Sequence, residues 1–239
     1  MSKADAFRAL HHHRTPEDPL VLPGPWDAVS ARVFAEAGFP ALATPSAGIA
    51  AALGYEDGRV PADEMFAAVA RIVRTVDVPV SADVEGGYGL PPEELVERLL
   101  ETGAVGCNLE DSEHGVLKDP HRHAEWLAGV RAAAGDRLFL NARVDTFACG
   151  VADPERALER AAAYVAAGAD CVYPVEAPLA VLPLLRAGIR GPVNVGVFTE
   201  DGPSPAELGA RGATRVTFGP GLQRRAARAL REIAAGLAR

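Results

Sequence analysis

Cysteine, basic clusters and long apolar runs are all scarce in this sequence, and each absence excludes a class of protein. The three cysteines, Cys107, Cys149 and Cys171, have no CxxC spacing, which indicates reduced thiols rather than a disulfide framework. No run of about 18 apolar residues and no apolar signal core are present, so we expect neither a membrane protein nor a secreted one. The net charge of -8, without any basic run, argues against nucleic acid as a partner. We therefore expect a cytoplasmic protein.

The chain nevertheless has enough apolar material for a large core. Of its 239 residues, 49% are hydrophobic and 23% are charged. Because α/β barrels of roughly 200–250 residues commonly form one domain, and no linker or low-complexity stretch interrupts the chain, residues 1–239 are predicted to form a single domain. The negative charge does not exclude an anionic substrate, since a metal ion and arginine side chains can reverse the local field.

Short apolar runs rich in β-formers alternate with Ala-rich amphipathic segments along the chain. The predicted strands are Pro19–Leu22, Ala41–Thr44, Val78–Ala82, Ala104–Leu109, Leu138–Ala142, Cys171–Tyr173, Val193–Val197 and Arg215–Phe218. The predicted helices are Trp26–Ala37, Ala62–Thr75, Pro92–Thr102, Pro120–Ala134, Asp153–Ala167, Leu179–Ala187, Ser204–Ala210 and Leu222–Leu237. Alternating strands and helices predict a parallel sheet, and eight units predict an α/β fold that closes into a (β/α)8 TIM barrel.

Three consecutive histidines, His11, His12 and His13, precede the first predicted strand. Three adjacent side chains cannot all face one metal ion, so a metal site is not expected there. We expect this run to lie on the surface.

The stretch from Val80 to Gly89 places two carboxylates directly after an apolar strand. Asp83 and Glu85 are two residues apart, so on an extended backbone their side chains face one common space. The Gly-Gly-Tyr-Gly turn that follows leaves room for a ligand to approach the backbone. Acidic groups at a strand end suit Mg²⁺, or Mn²⁺, as oxygen ligands. The pair taken alone also has a simpler interpretation, a solvated acidic turn.

Polar residues also follow nearly all of the remaining predicted strands. They lie at the strand ends where a TIM barrel carries its chemistry. The polar residues are Trp26, Asp27, Ser46, Asp57, Asn108, Glu110, Asp111, Arg143, Asp145, Glu176 and Asn194, and Ala47 and Gly48 follow Ser46 in the loop after the second strand. Asp57, Asp83, Glu85 and Glu110 would converge on one rim and repel one another without a cation, which favours a metal site.

At these residues the chain resembles the isocitrate lyase / phosphoenolpyruvate mutase superfamily, and most of all its short members. The resemblance covers nearly the whole chain. The matching segments are 22–31 (LPGPWDAVSA), 44–48 (TPSAG), 54–58 (GYEDG), 82–89 (ADVEGGYG), 108–112 (NLEDS), 141–145 (NARVD) and 192–195 (PVNV).

The resemblance implies Mg²⁺-dependent chemistry on a 2-oxo acid or its enolate. Asp83 matches the carboxylate nearest the metal, while Asp57, Glu85 and Glu110 match the acids that hold its waters. Glu85 stands where many relatives carry Asp, and its extra methylene still allows it to reach a metal-bound water.

The resemblance also implies how a substrate is held. Ser46 and the backbone of Ala47 and Gly48 match the site that binds the substrate carboxylate, and Arg143 matches the guanidinium that neutralises enolate charge. The further substrate-binding residues that we predict are Trp26, Asn194 and Glu176.

The loop after the fourth predicted strand departs from the family. Relatives that act on isocitrate or methylisocitrate carry a Cys motif in the loop after the third or fourth strand, and here neither the loop after Asp83 nor residues 110–120 contain a Cys. Phosphoenolpyruvate mutases carry a Glu-Asp-Lys…Pro-Lys-x-Asn-Ser run in this loop, which is also absent. His114 is our preferred general acid or base in this loop, together with Glu110, because an imidazole titrates near neutral pH. A solvated loop histidine is the competing interpretation. Glu176 is either a base or a salt-bridge partner for Arg143.

These observations predict a Mg²⁺-dependent carbon–carbon lyase or decarboxylase that acts on a small 2-oxo or 2-hydroxy dicarboxylate through a metal-stabilised enolate. The alternatives are a phosphonate P–C mutase or hydrolase, and a non-catalytic barrel that binds a carboxylate. From the resemblance we also expect a homo-oligomer, either a dimer or a tetramer. The segment Leu222–Leu237 is interpreted as the eighth barrel helix, which leaves no additional helix to exchange between subunits.

Overall fold

A computed structural model describes residues 2–12 and 14–238, and its centre is a ring of eight parallel strands. The strands are β1 (Leu20–Val21), β2 (Leu42–Ala43), β3 (Val80–Asp83), β4 (Gly106–Leu109), β5 (Ser112–Glu113), β6 (Val116–Leu117), β7 (Phe139–Val144), β8 (Cys171–Pro174), β9 (Asn194–Gly196) and β10 (Arg215–Thr217). Of these, β5 and β6 form a separate antiparallel hairpin after β4.

The ring closes through two seams. One sheet has the order β2-β3-β4-β7-β8 and the other has the order β1-β10-β9. A parallel bridge between Val172 and Val193 joins β8 to β9. The Ala43 N–H donates to the Pro23 carbonyl at 3.1 Å, which joins β2 to the chain that leaves β1. The predicted (β/α)8 barrel is confirmed.

The helices are α1 (Lys3–Leu10), α2 (Ala28–Glu36), α3 (Ser46–Leu53), α4 (Ala62–Val73), α5 (Pro92–Thr102), α6 (Pro120–Ala134), α7 (Pro154–Ala166), α8 (Leu182–Gly188), α9 (Pro205–Ala210) and α10 (Gly221–Leu237). The caps follow the sequence signals: the Asp153 and Ser204 side chains accept from backbone N–H groups of the first turns of α7 and α9. Eight of these helices correspond to predicted ones, whereas α1 and α3 were not predicted.

Helix α1 covers the lower end of the barrel, opposite the end where the strands emerge into the functional loops. Its Phe7 is fully buried and makes an edge contact with Phe139 of β7, with ring centroids 5.3 Å apart. His11 follows α1, is only 4% exposed and stacks on Phe139 at 4.0 Å. The surface prediction was therefore wrong for His11, because its ring fills the apolar space between α1 and the barrel. His12 is exposed, and His13 lies outside the described residues.

Helix α10 follows β10 but does not pack as a barrel helix should. None of its residues is buried, and Leu230, Ile233 and Leu237 are 65%, 59% and 83% exposed. These three side chains recur at intervals of three and four residues, so they form one apolar stripe along the helix. The segment is thus the predicted eighth helix and contacts α3, but its apolar stripe is exposed instead of packed on the barrel.

No helix among residues 2–12 and 14–238 is both long enough and apolar enough to cross a membrane.

Candidate active site

A cavity of 370 Å³ opens at the carboxyl ends of the barrel strands. Seven of the predicted site residues line it: Ser46, Ala47, Asp57, Asp83, Glu110, Arg143 and Glu176. The barrel thus brings residues that are far apart in the sequence, from Ser46 to Glu176, to one cavity. This is the position at which (β/α)8 enzymes carry their chemistry.

Asp83, the last residue of β3, is held at the cavity wall by its neighbours. Ser46 Oγ donates to Asp83 Oδ2 at 3.2 Å, and the Glu85 N–H donates to Asp83 Oδ1 at 3.3 Å. The Asp83 N–H donates to Thr44 Oγ1 at 3.1 Å, which fixes the backbone at the strand end. Burial raises the pKa of Asp83 in spite of these donors and of the charge on Arg143. The Asp83 carboxylate is therefore held in a fixed orientation, but its hydrogen bonds and the charge of Arg143 do not offset the cost of burying its negative charge.

The pKa values of two neighbouring acids, Glu85 and Glu110, are raised as well. Burial, together with the charges of Asp83 and Asp57, raises the pKa of Glu85 to about 7. Burial and the charge of Asp83 also raise the pKa of Glu110, although Arg143 lies beside it. Glu85 Oε1 is buried and has no hydrogen-bond partner. A buried, unpartnered carboxylate oxygen is costly unless a cation or an ordered water meets it.

The acids fit Mg²⁺ better than a metal that needs a complete protein cage. Among residues 2–12 and 14–238, no group of three His, Cys, Asp or Glu side chains is placed to hold an ion directly. Mg²⁺ usually keeps several waters and takes only one or two protein carboxylates, so such a cage is not required. Asp83 is placed to be that carboxylate, with Glu85, Glu110 and Asp57 around it.

Arg143 on β7 is fixed by two carboxylates. Its Nε donates to Asp145 Oδ1 at 2.9 Å, and its Nη1 forms an ion pair with Glu110 Oε1. Burial opposes the charge on Arg143, but Asp145 and Glu110 outweigh this effect and raise its pKa. Arg143 therefore pairs with Glu110 and Asp145 and not with Glu176. Glu176 lies exposed on the cavity rim.

A second layer of buried groups supports this arginine. Asp145 is fully buried and accepts from Ser112 Oγ at 2.6 Å as well as from Arg143. Its backbone N–H donates to Asp111 Oδ1 at 2.7 Å. Asp111, also fully buried, accepts from Arg160 Nη1 at 2.9 Å and from the Tyr164 hydroxyl at 2.7 Å. The chain of contacts from α7 to β7 limits the freedom of the guanidinium.

Helix α3 begins inside the cavity wall. The first hydrogen bond to the Pro45 carbonyl is made by the Ile49 N–H, so the N–H groups of Ser46, Ala47 and Gly48 precede the helical ladder. A Cβ at Gly48 would lie 2.8 Å from Pro45 Cγ, which explains the glycine at this point. The Ser46 N–H donates to Asp83, which leaves the N–H groups of Ala47 and Gly48 at the positive end of the helix, where a carboxylate is favoured.

Among residues 2–12 and 14–238, four residues other than glycine have left-handed backbones, and all four lie in loops around the two main cavities. They are Glu85 (φ 53°), Tyr88 (φ 56°), His114 (φ 51°) and Glu176 (φ 57°). Side chains beyond Cβ make this conformation unfavourable by about 1–3 kcal/mol, so it persists only where the surroundings impose it. Three of the four are predicted site residues, and this strain is a signal that the sequence alone does not show.

The remaining predicted residues lie outside the first cavity. Glu85 and His114 line a second cavity of 960 Å³, which shares Glu110 with the first. His114 is exposed at the turn of the β5–β6 hairpin. Trp26 lies behind Gly48, where its Cβ would be 3.5 Å from a Cβ added to that glycine. Asn194 is fully buried inside the barrel.

Several residues of the site escaped the sequence analysis as functional groups. Thr44, Asp145 and Tyr173 stand at strand ends but were given no role, and Arg215 was interpreted only as the start of a strand. A usable signal existed for Asp145, because it is two residues beyond Arg143 and so shares its side of an extended chain.

Comparison with known proteins decides the family. The sequence profile of the phosphoenolpyruvate phosphomutase family matches residues 7–238. The chain belongs to the phosphoenolpyruvate phosphomutase family. This family member is 34% identical over 219 residues to an uncharacterised protein of Mycobacterium tuberculosis, a match that covers 90% of the chain and 81% of the relative. It is 31% identical over 189 residues to the 2-methylisocitrate lyase of Escherichia coli, covering 72% of the chain and 62% of that enzyme.

Solved structures of the superfamily have the same fold. A candidate phosphonomutase of Burkholderia cenocepacia superposes with a TM-score of 0.88 at 41% identity, covering 98% of both chains. A 2,3-dimethylmalate lyase of the PEP mutase/isocitrate lyase superfamily superposes with a TM-score of 0.87 at 26% identity, covering 100% of this chain and 88% of that one. The relatives of this phosphoenolpyruvate phosphomutase family member whose activity is named are enzymes, lyases among them.

Proposed function

We propose that the chain is a Mg²⁺-dependent carbon–carbon lyase or decarboxylase that acts on a small 2-oxo or 2-hydroxy dicarboxylate. The observation that carries the proposal is the composition of the 370 Å³ cavity, where Asp83, the free N–H groups of α3 and the anchored Arg143 face one space. The similarity to the 2-methylisocitrate lyase of Escherichia coli supports a lyase.

Mg²⁺, when bound, would polarise an oxygen of the substrate and so weaken the bond next to it. Asp83 would hold the ion directly, while Asp57, Glu85 and Glu110 would accept hydrogen bonds from its waters. The raised pKa of Glu85 and of Glu110 is consistent with this role, because burial and the neighbouring carboxylates outweigh the charge of Arg143, which forms an ion pair with Glu110.

The protein's own groups supply binding and charge stabilisation. Ser46 and the backbone N–H groups of Ala47 and Gly48 accommodate the carboxylate next to the reacting carbon. Arg143 faces the oxygen on which negative charge develops, and its fixed position lets it stabilise this charge without reorganisation. Its contacts with Asp145 and Glu110 hold it in that position.

Proton transfer remains assigned to His114, with Glu110 as the group common to both cavities. His114 faces the second cavity from the β5–β6 hairpin. A proton would therefore pass between His114 and the first cavity through the space beside Glu110, which lines both cavities. A substitution of His114 by Gln is therefore expected to reduce turnover while leaving the binding of a non-reacting analogue intact.

Calorimetric titration with oxalate, a mimic of a pyruvate enolate, tests the proposal. Binding that requires Mg²⁺ would support it and would justify a screen of 2-oxo and 2-hydroxy diacids for release of a 2-oxo acid. Oxalate that fails to bind with or without Mg²⁺ would contradict the proposal and favour a barrel that binds carboxylates without catalysis.

Phosphonate P–C chemistry is the second candidate. The similarity to the candidate phosphonomutase, at 41% identity over 98% of the chain, favours it. Lys118 and Arg122 line the second cavity and would have to bind the phosphoryl group. Phosphorus NMR of the enzyme with phosphonopyruvate and Mg²⁺ separates the two candidates, because only P–C chemistry yields phosphoenolpyruvate or free phosphate.

We also propose a homo-oligomer in which α10 packs against a second copy of the chain. The apolar stripe of Leu230, Ile233 and Leu237 has no partner within the described part of the chain. Val29 and Val33 on α2 are 60% and 55% exposed and offer an apolar surface of the same kind. Burial of such side chains is worth about 25 cal/mol for each Å² removed from water.

A further inference from the structure

Arg215 is the first residue of β10, and its side chain lies inside the barrel. It is only 1% exposed, and it lines the same cavity as Asp83 and Arg143. In the ladder between β9 and β10 it stands directly opposite Asn194, so both side chains enter the barrel at the same level. A charged residue in this position is rare, because arginine is seldom fully buried unless it is paired.

The guanidinium of Arg215 lacks partners. Its Nε and Nη1 atoms are buried and make no hydrogen bond, and no carboxylate within residues 2–12 and 14–238 forms an ion pair with it. The Phe7 ring lies 5.9 Å from Cζ, at the outer limit of a cation–π contact. Burial lowers the pKa of Arg215, but a guanidinium keeps its proton in proteins, so the charge remains.

Asn194 beside it is also incompletely bonded. Its Oδ1 accepts from Thr217 Oγ1 at 3.2 Å, whereas its Nδ2 is buried and has no partner. Asn194 Nδ2, Arg215 Nε and Arg215 Nη1 are all hydrogen-bond donors. A buried cation next to unsatisfied donors is expensive, and the occupant that relieves this cost is an anion with several acceptor oxygens.

We propose that Arg215, which lines the cavity and has Asn194 as its neighbour on β9, provides a buried anion subsite that binds the second acid group of the substrate. The planar guanidinium can donate two parallel hydrogen bonds to the two oxygens of a carboxylate. A single water molecule has only one oxygen and cannot replace this arrangement. The inference rests on the proposed function, in which the first carboxylate lies at α3 and Asp83. Within the proposed class of dicarboxylates, it assigns Arg215 to the distal carboxylate, which would reach into the barrel.

The test compares 2-oxo diacids with the 2-oxo monoacids that lack the distal carboxylate, using calorimetry with Mg²⁺. Suitable diacids are 3,3-difluorooxaloacetate, 2-oxoglutarate and 2-oxoadipate, and oxalate reports on the first site alone. The wild type should prefer one diacid by about 10- to 100-fold, the effect expected of a hydrogen-bonded charge pair. Arg215→Met should abolish this preference and leave oxalate binding unchanged.

The matched control is Arg225→Met. Arg225 pairs with Glu200 at 3.1 Å outside this cavity, so its substitution removes the same charge and should keep the preference. Arg215→Lys, which retains the charge but loses the planar fork, should show an intermediate preference and serves if the Met variant does not fold. The free Arg215→Met protein should also melt at a higher temperature than the wild type, because an unpaired buried charge is removed.

The outcomes separate the two proposals. Oxalate that binds with Mg²⁺, together with a diacid preference that survives Arg215→Met, would overturn the subsite and leave the proposed function standing. Equal losses in Arg215→Met and Arg225→Met would also overturn it, because net charge would then be the cause. Absence of oxalate binding in the wild type would instead refute the proposed function.

Discussion

Arg143 Nε donates to Asp145 Oδ1 at 2.9 Å, and the two residues are separated by a single position in the chain. The short separation means that one extended segment supplies both the positive charge that lines the cavity and the carboxylate that fixes its position. Because Asp145 is fully buried and also accepts from Ser112, its carboxylate has little freedom to follow a displaced arginine.

Replacing Asp145 by Asn should weaken the site without unfolding the barrel. An amide of the same size cannot accept from both Arg143 and Ser112 as a charged group does, so the guanidinium loses its fixed orientation. We expect Mg²⁺-dependent oxalate affinity to fall about 10- to 100-fold, the effect of a hydrogen bond to a charged group. Asp153→Asn is the control, because Asn caps α7 as well as Asp. Unchanged oxalate affinity in the Asp145 variant would show that other contacts orient Arg143.

Replacing Asp83 by Ala should abolish the Mg²⁺ dependence of oxalate binding while leaving the protein folded. Burial raises the pKa of this carboxylate, so its charge opposes folding rather than supporting it. We expect an equal or higher melting temperature in the variant, measured without metal. Glu97→Ala, on the exposed side of α5, should change neither quantity. Retained Mg²⁺-dependent binding in the Asp83 variant would place the ion elsewhere.

Stability should fall at mildly acidic pH because of His11. Burial, then the charge of Arg215, lowers the pKa of His11 to about 3, whereas the unfolded chain has its usual value of about 6.5. Between these values only the unfolded state binds the proton, so the stability contribution is complete above about pH 6.5 and is lost as the pH falls towards 3. The loss is about 1.4 kcal/mol for each pH unit.

Urea unfolding at pH 7 and pH 5 measures this effect. His11→Gln removes the titrating group, so the variant should lose roughly 2 kcal/mol less than the wild type over that interval. His121→Gln, at an exposed position, should behave as the wild type does. Equal acid sensitivity of the His11 variant and the wild type would mean that other groups, with His123 the first to examine, dominate.

The proposed assembly through α10 should depend on its apolar stripe. Ile233→Asp introduces a charge into the stripe and should reduce the mass in solution to that of a smaller species, as measured by light scattering. Ala235→Asp adds the same charge on the opposite face of the helix and should leave the mass unchanged. A wild-type protein that is already monomeric at micromolar concentration would contradict the proposal.

The sequence predicted the barrel well because its signals repeat. Each βα unit carries its own apolar run and its own helix punctuation, such as Asp153-Pro154 before α7 and Ser204-Pro205 before α9. Helix α3 was missed because Ser46–Leu53 is short and uniformly apolar, without a polar face to give a helical period. The β5–β6 hairpin was missed because its strands are only two residues long each.

The candidate site was predictable where chemistry follows a strand directly. Asp83, Glu110 and Arg143 stand at or just past strand ends, and the barrel brings them together as the topology requires. Arg215 could not be recognised in this way, because alternation along a strand gives two faces but does not say that the charged one points inward. His11 was misplaced for a related reason: its neighbours in sequence are polar, and only the packing of α1 against Phe139 buries it.

The left-handed backbones at Glu85, Tyr88, His114 and Glu176 have a consequence for protein engineering. Glycine at any of these positions would relieve about 1–3 kcal/mol of strain, offset in part by its greater chain entropy when unfolded. A laboratory selection for heat resistance alone would therefore favour glycine at these positions, and each such gain would remove a side chain from the rim of one of the two cavities. Selection for thermostability would then act on the same four residues that border the cavities. Selection for stability without loss of turnover therefore requires that these four positions be kept unchanged.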